Sequence, residues 1–278
     1  MKSRPIFFLI FIISCSHPKK IQKEDYINHF PKIIDKPSLL PVKENFYIFI
    51  LAGQSNMAGR GFVQPEDTVS SIQILSIDKT NEWVYAKEPL HYYEPERTGL
   101  DCGLSFAKKL SSLYGKKITI GLVPCAVGGS SIEQWLGDSI YRGVTLYSNL
   151  LNKIKIAGQY GTLKGLLWHQ GESNAGSASK HQNYQQKLQA FFTRVRNDAG
   201  VPDLPVYAGQ LAMFLSRRTN PFADSVNKEL LQLSSTMKNI YVINTFDLSC
   251  KSDSIHFDSR SQRIMGERFA KKVFETQH

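Results

Sequence analysis

Asn45-Phe-Tyr-Ile-Phe-Ile-Leu-Ala-Gly-Gln-Ser-Asn-Met-Ala-Gly-Arg-Gly61 decides how the rest of the chain is read. Phe46 to Ala52 is an unbroken apolar run rich in aromatic and β-branched residues. It is too short for a helix of ordinary length and predicts a strand buried on both faces. The run stops at Gly53, and the polar Gln54-Ser55-Asn56 follows at once. In α/β sheets ligands bind on the loops at the carboxyl ends of strands, so Ser55 stands where a nucleophile is expected. The competing reading is a plain turn, because Ser and Asn beside Gly form turns for local reasons.

Outward from this stretch, apolar runs alternate with helical patterns. Strands are predicted at Phe46–Ala52, Ile118–Val123, Leu163–Trp168, Leu204–Leu211 and Ile240–Asn244. Between and after them, helical spacing marks Leu104–Tyr114, Leu146–Ala157, Tyr184–Val195, Phe222–Met237 and Gln262–Phe274. Ile72–Ile77 and Trp83–Ala86 are strand-like but short and predict an excursion of the chain. Strands separated by helices make βαβ units, so the expected fold is α/β: a parallel five-stranded sheet covered on both faces. Residues 45–278 hold this one domain, and no repeat or second domain is visible.

The composition sets limits on partners. The net charge is +10 over 278 residues, but Lys and Arg are scattered singly or in pairs. No basic run alternates with aromatics, which argues against nucleic acid and leaves acidic surfaces or glycans as partners of a basic protein. Residues 1–15 read as an export signal: Lys2 and Arg4 precede a short apolar stretch, Pro5 to Ile13. Ile12-Ile13-Ser14-Cys15 resembles a bacterial lipoprotein signal, with Ile in place of the usual Leu, and implies lipidation at Cys15. The expected location is therefore the cell envelope, held to a membrane by a lipid anchor; plain secretion is the alternative. Residues 16–44, with Pro18, Pro31, Pro37 and Pro41 among several Lys, have the composition of an extended tether. Cys102, Cys125 and Cys250 remain, either as one disulfide and one thiol or as three buried thiols.

The chemistry collects on the strand-end loops. The first carries Ser55. The next carries Pro124-Cys125-Ala126-Val127-Gly128-Gly129-Ser130, and the third Trp168-His169-Gln170-Gly171-Glu172-Ser173-Asn174. The last carries Asp247, then Asp253-Ser254-Ile255-His256. Acyl transfer needs a hydroxyl nucleophile, an imidazole base, a carboxylate to orient the base and donors for an oxyanion. All four are present. Asp253 and His256, three positions apart, can hydrogen-bond on one turn, leaving the second ring nitrogen for Ser55; Asp258 is a rival orienter, and a surface turn capped by Asp253 is the plain alternative. Gly128-Gly129 offers unobstructed backbone N–H groups, and the Gln170 amide is a further donor.

Taken together, these blocks resemble the SGNH-type carbohydrate acetylesterases, and most of all the sialate O-acetylesterase-like branch, carbohydrate esterase family 6. The resemblance runs from Phe46 to the last predicted helix. It implies a flavodoxin-like three-layer αβα sandwich and hydrolysis of acetyl esters on sugars without metal or other cofactor. It also implies Ser55 as nucleophile, His256 as base, Asp253 as its orienter, and the N–H groups of Ser55 and Gly129 with Gln170 as oxyanion donors. The Gly-x-Asn-Asp of many relatives is replaced by Gln-Gly-Glu, which leaves Gln170 and Asn174 both open as the third donor.

Three rival readings accompany this one. Gly171-Glu172-Ser173-Asn174-Ala175 approaches a nucleophile elbow with Ser173 as nucleophile, but Ala175 stands in place of its second Gly. His169, Glu172 and His256 would be ligands of a metallohydrolase, though without a recognised spacing. A lipid-anchored glycan-binding protein of the same fold without hydrolysis is the alternative of another class. Trp83, Tyr85, Tyr92, Tyr93 and Trp135 are candidates to stack on sugar rings, with core packing the competing fate.

Overall fold

The apolar run that opens the domain is a strand, β1 (Phe46–Gly53), and its side chains divide between two cores. Phe46, Ile48, Ile50 and Ala52 enter one cluster, and Phe49 and Leu51 the other. That alternation on two buried faces explains why the run has no polar positions. The structure is a computed structural model and describes residues 27–277.

In chain order, β1 is followed by the short α1 (Ser55–Ala58), β2 (Ile74–Ile77), β3 (Trp83–Tyr85), α2 (Gly103–Tyr114), β4 (Thr119–Pro124) and α3 (Ile132–Leu136). A two-stranded hairpin, β5 (Ile140–Tyr141) and β6 (Val144–Thr145), leads to α4 (Leu146–Tyr160) and β7 (Thr162–His169). Then come α5 (Ala178–His181), α6 (Tyr184–Ala199), β8 (Val206–Gly209), α7 (Met213–Arg218), α8 (Ala223–Thr236), β9 (Ile240–Ile243) and α9 (Ser259–Gln277).

The central sheet has seven strands in the order β3-β2-β4-β1-β7-β8-β9. Every pairing is parallel except β2 with β3. The five-stranded sheet expected from the sequence is thus two strands short. The two pieces read as an excursion are β2 and β3; β2 pairs with β4, Ile74 opposite Ile120, and extends the sheet edge. Their strand character is legible in the sequence, but their place in the central sheet rests on pairing with a distant segment, which a short local pattern does not reveal. The five expected strands keep the order β4-β1-β7-β8-β9, the flavodoxin-like arrangement, with the topological switch point between β1 and β7.

Helices α3, α4, α6 and α8 cover one face, where Trp135, Trp168, Phe191 and Phe192 form a continuous aromatic core. Helices α2 and α9 cover the other, through Leu104, Phe106, Leu110, Met265 and Phe269. The result is the three-layer αβα sandwich. Helix α6 stops at Gly200, whose φ of 67° is left-handed and whose N–H closes on Arg196 and Asn197. Helix α4 runs past Gly158, where a stop was expected, to Tyr160. A single Gly costs a helix only about 1 kcal/mol, and the packed face around Ala157 carries the helix through.

Residues 27–42 form no helix or strand but lie along the domain: Val63 N–H donates to Asn28 Oδ1 (2.8 Å), and Tyr85 N–H to the Asp35 carbonyl (2.9 Å). Cys15 and the export signal lie outside the described residues. Among the described residues no helix is long and apolar enough to cross a membrane. Cys102, Cys125 and Cys250 are free thiols, the first two buried. Burial pushes the Cys125 thiol up to about 12.

Candidate active site

The site is built where β1 and β7 end. Gly53 has φ +133°, and a Cβ there would stand 2.1 Å from the His169 carbonyl oxygen, so only Gly lets the two strands stay this close. The chain then turns directly into α1, with Ser55 as its first residue. As the first residue, Ser55 has an N–H without an intrahelical acceptor.

Ser55 Oγ lies 3.0 Å from His256 Nε2, and His256 Nδ1 lies 2.9 Å from Asp253 Oδ2. Asp253 Oδ1 also accepts the backbone N–H groups of Ile255 and His256, each at 2.9 Å. Burial works to raise the Asp253 carboxyl; the N–H groups of His256 and Ile255 and the imidazole outweigh it and hold the carboxyl below its ordinary value. The rival carboxylate, Asp258, accepts the Ser261 N–H at 2.7 Å and so caps α9 instead. Asp247 faces Arg268 in a two-bonded pair, away from His256.

Asn56 is fully buried and ties three loops together. Its amide donates to Glu172 Oε1 (2.7 Å) and to the Ile255 carbonyl (3.3 Å), and its Oδ1 accepts the Phe257 N–H (3.0 Å). Its backbone carbonyl accepts from Gln262 Nε2 on α9 (2.9 Å). The loop that carries His256 is therefore hung from the residue next to Ser55. Gln54 Oε1 plays a similar part for the third loop, accepting the Ser173 N–H at 3.1 Å.

The second loop presents Gly128 and Gly129 differently. The Gly128 N–H is spent on Glu94 Oε2 at 2.6 Å. Gly129 has φ +82°, and its N–H donates to no acceptor among the described residues. Its carbonyl accepts from Ser173 Oγ at 2.9 Å. Arg142, at the tip of the β5–β6 hairpin, donates from Nε to the Gly128 carbonyl at 2.8 Å. Glu94 and Arg142 carry no signal in the sequence; Gln54 and Asn56 lie inside a quoted block, but their bridging is a matter of tertiary position.

Gln170 and Asn174, both open as the third donor, differ in how their amides are used. Asn174 Nδ2 is committed to Glu133 Oε2 and the Lys180 carbonyl, both at 2.9 Å. Gln170 Nε2 has one short bond, to Asn174 Oδ1 (2.8 Å), and two long ones at 3.3 Å, to Gln54 Oε1 and the Ser130 carbonyl.

Several expectations are corrected. The Ser173 hydroxyl donates to the Gly129 carbonyl, and turns rather than a helix follow it, so the nucleophile-elbow reading lacks its strand–turn–helix. His169 lies 3.6 Å from Glu172 and 3.1 Å from the Gln210 carbonyl, while both ring nitrogens of His256 are engaged with Ser55 and Asp253. Burial lowers the pKa of His169, against the pull of Glu172. Trp83 and Trp135 are buried among aromatics, Trp83 against Phe46, so neither stacks on a sugar. Tyr92 and Tyr93 are tied to Lys153 and Asn149 through their hydroxyls.

Comparison with known proteins settles the family. The model of the family described as carbohydrate esterase, sialic acid-specific acetylesterase, matches residues 45–275. This chain belongs to that family. It is accordingly a carboxylic ester hydrolase of the carbohydrate acetylesterase kind. The probable carbohydrate esterase At4g34215 of Arabidopsis thaliana is 30% identical over 253 residues, 84% of this chain and 92% of the relative. The crystal structure of that Arabidopsis protein superposes with a TM-score of 0.74 at 28% identity, covering 84% of this chain and 98% of the other. NanS superposes with a TM-score of 0.68 at 17% identity, covering 86% and 99%. At that identity the likeness speaks for the fold, which the chain shares with SGNH hydrolases.

Proposed function

We propose that this esterase removes O-acetyl groups from a carbohydrate through a Ser55-His256-Asp253 triad and an acetyl-enzyme intermediate. The observation that carries the reading is the continuous relay from Ser55 Oγ through the imidazole to Asp253, with links of 3.0 and 2.9 Å. In the first step His256 Nε2 takes the Ser55 hydroxyl proton as Oγ bonds to the acetyl carbon, and the carbonyl π electrons move onto oxygen. The tetrahedral adduct then collapses. The sugar oxygen leaves with its bonding electrons and receives the proton from the imidazolium. Water, deprotonated by the same nitrogen, adds to the carbonyl of acetyl-Ser55; that adduct breaks the bond to Oγ, which takes its proton back from the imidazolium as acetate is released. Asp253 keeps Nδ1 protonated and stabilises the imidazolium without taking its proton.

The oxyanion donors are the N–H groups of Ser55 and Gly129, neither of which has an acceptor among the described residues, and the Gln170 side chain. Gln170 suits the part better than Asn174 because one of its N–H groups is shared between acceptors at 3.3 Å, while both of Asn174's are firmly bonded. The family description favours acetylated sialic acid among the sugars. Acetate release from a panel of acetylated glycans by the wild type and by Ser55→Ala tests the reading. Release by the wild type and none by Ser55→Ala is expected; equal release by both would overturn it.

A further inference from the structure

The oxyanion donor at Gly129 is held by an apparatus outside the family blocks. The N–H of Gly129 and the carbonyl of Gly128 belong to one peptide unit, which is planar and trans, so they point in opposite directions. Whatever fixes that carbonyl fixes the N–H. The carbonyl is gripped by Arg142 Nε at 2.8 Å. The preceding N–H, that of Gly128, is gripped by Glu94 Oε2 at 2.6 Å. Glu94 is itself buried between two guanidinium groups: Arg60 Nη2 at 2.8 Å from Oε2, and Arg142 Nε at 3.3 Å from Oε1. The loop backbone fits this cluster closely, for a Cβ at Gly128 would lie 2.1 Å from Arg60 Nη2 and 2.5 Å from Glu94 Oε2.

Arg142 reaches this position from a two-residue turn in which it and Gly143 both have positive φ, 48° and 76°. That is the hairpin turn whose twist suits two short antiparallel strands. For Arg the left-handed conformation carries a cost that Asn or Gly would avoid. The turn also brings the Tyr141 hydroxyl to 3.0 Å from where a Gly129 Cβ would stand, closing the space beside that residue.

We infer that Arg142 is a positioning residue for acyl transfer: its cationic N–H both orients and polarises the Gly128–Gly129 peptide, whose free N–H receives the oxyanion, while Glu94 holds Arg142 and the loop in register. A charge-assisted bond to the carbonyl draws electron density along the amide and makes its N–H a better donor. The inference rests on Ser55 as nucleophile and Gly129 as oxyanion donor. Substrate binding needs neither, so the effect belongs in kcat.

The test is steady-state kinetics on an aryl acetate, with inhibition by a boronic acid that adds to the serine and presents a tetrahedral anion. Removing an oxyanion donor outright costs about 10²–10³ in kcat, so Arg142→Ala, which only misorients one, is expected to cost about 10–100-fold. KM should stay within about two-fold, because uniform binding is untouched. Boronate affinity should fall by the same factor as kcat, the acid limb of the pH profile should not move, and Arg142→Lys should recover part of the loss. Should Arg142→Ala fail to fold, Arg142→Lys alone reads the same split. An unchanged kcat, or a raised KM with kcat retained, would overturn the inference. With Ser55→Ala inactive in the same assay, such a result removes the role of Arg142 alone; with Ser55→Ala active, the triad reading falls and this inference with it.

Discussion

At the scale of single residues, the relay makes Ser55, His256 and Asp253 one unit. Ser55→Ala and His256→Ala are each expected to lower kcat by about four to six orders of magnitude, and their combination hardly further, because such groups are non-additive. Fully additive losses would separate the two. Asp253→Asn should cost less, since it spoils orientation and leaves the attacking group. The base must be neutral, so kcat/KM should fall on the acid side. Asn56 acts through others. Asn56→Ala leaves the Phe257 N–H and Glu172 Oε1 without their bonds, a cost of about 1–3 kcal/mol each in a buried setting. It also frees the loop bearing His256, and a misplacement of about 1 Å can cost about 10²-fold. Chemical denaturation and kcat of this variant should both show the loss; a loss of stability with kcat intact would confine Asn56 to the fold.

At the scale of elements, the hairpin β2–β3 gives the sheet an exposed edge, and residues 28–42 lie against it and the neighbouring loops. The Tyr85 N–H on β3 is taken by the Asp35 carbonyl, Lys87 Nζ by the Ile33 carbonyl, and Leu40 packs on the core. Covering an edge in this way blocks pairing with other chains. The tether composition of the segment thus goes with specific attachment to the domain. A chain beginning at Lys43 is expected to keep its activity, because no residue of the segment touches the relay. It should lose about 2–4 kcal/mol, the sum of a few hydrogen bonds and one apolar contact. Thermal melting with acetate release checks both; failure to fold would make the segment part of the domain.

At the scale of the whole molecule, buried ionisable groups set the pH dependence of stability. Glu88 is fully buried; burial first, and then Asp101 and Asp67, push its pKa well up. A raised folded pKa means stability that is complete below the ordinary carboxylate value and is lost as pH rises through the folded one. Glu88→Gln should therefore flatten the fall in melting temperature as pH rises above the ordinary carboxylate value, and an unchanged profile would remove Glu88 as its source. His169 works in the opposite sense: its folded pKa is lowered, so its contribution is lost as pH falls below the ordinary value of about 6.5. Beyond the described residues, we propose that lipidation at Cys15 holds the enzyme to a membrane of the cell envelope. Cys15→Ala should then move it from the membrane fraction to the soluble one. Unchanged partitioning would refute anchoring there.

The sequence by itself determined the five central strands and their parallel pairing. Runs buried on both faces have no polar positions to confuse the reading, and helices between them force parallel pairing. It also put Ser55, Asp253 and His256 forward, because acyl transfer needs those side chains and strand-end loops gather at one sheet edge. Tertiary structure alone decided the rest. The place of β2 and β3 in the sheet was decided by pairing, β2 with the distant β4 and β3 with β2, partners that their short strand-like patterns do not name. Asp253 rather than Asp258 faces the imidazole because a left-handed Ser254 bends the loop back, while Asp258 is drawn into capping α9. Trp83 and Trp135 went to the core, where area burial outweighs any surface role. Glu94 and Arg142, single residues on a loop and a hairpin, meet the Gly128–Gly129 peptide only once the chain is folded. Spacing in sequence carries no information about which side chain reaches a backbone carbonyl across such loops.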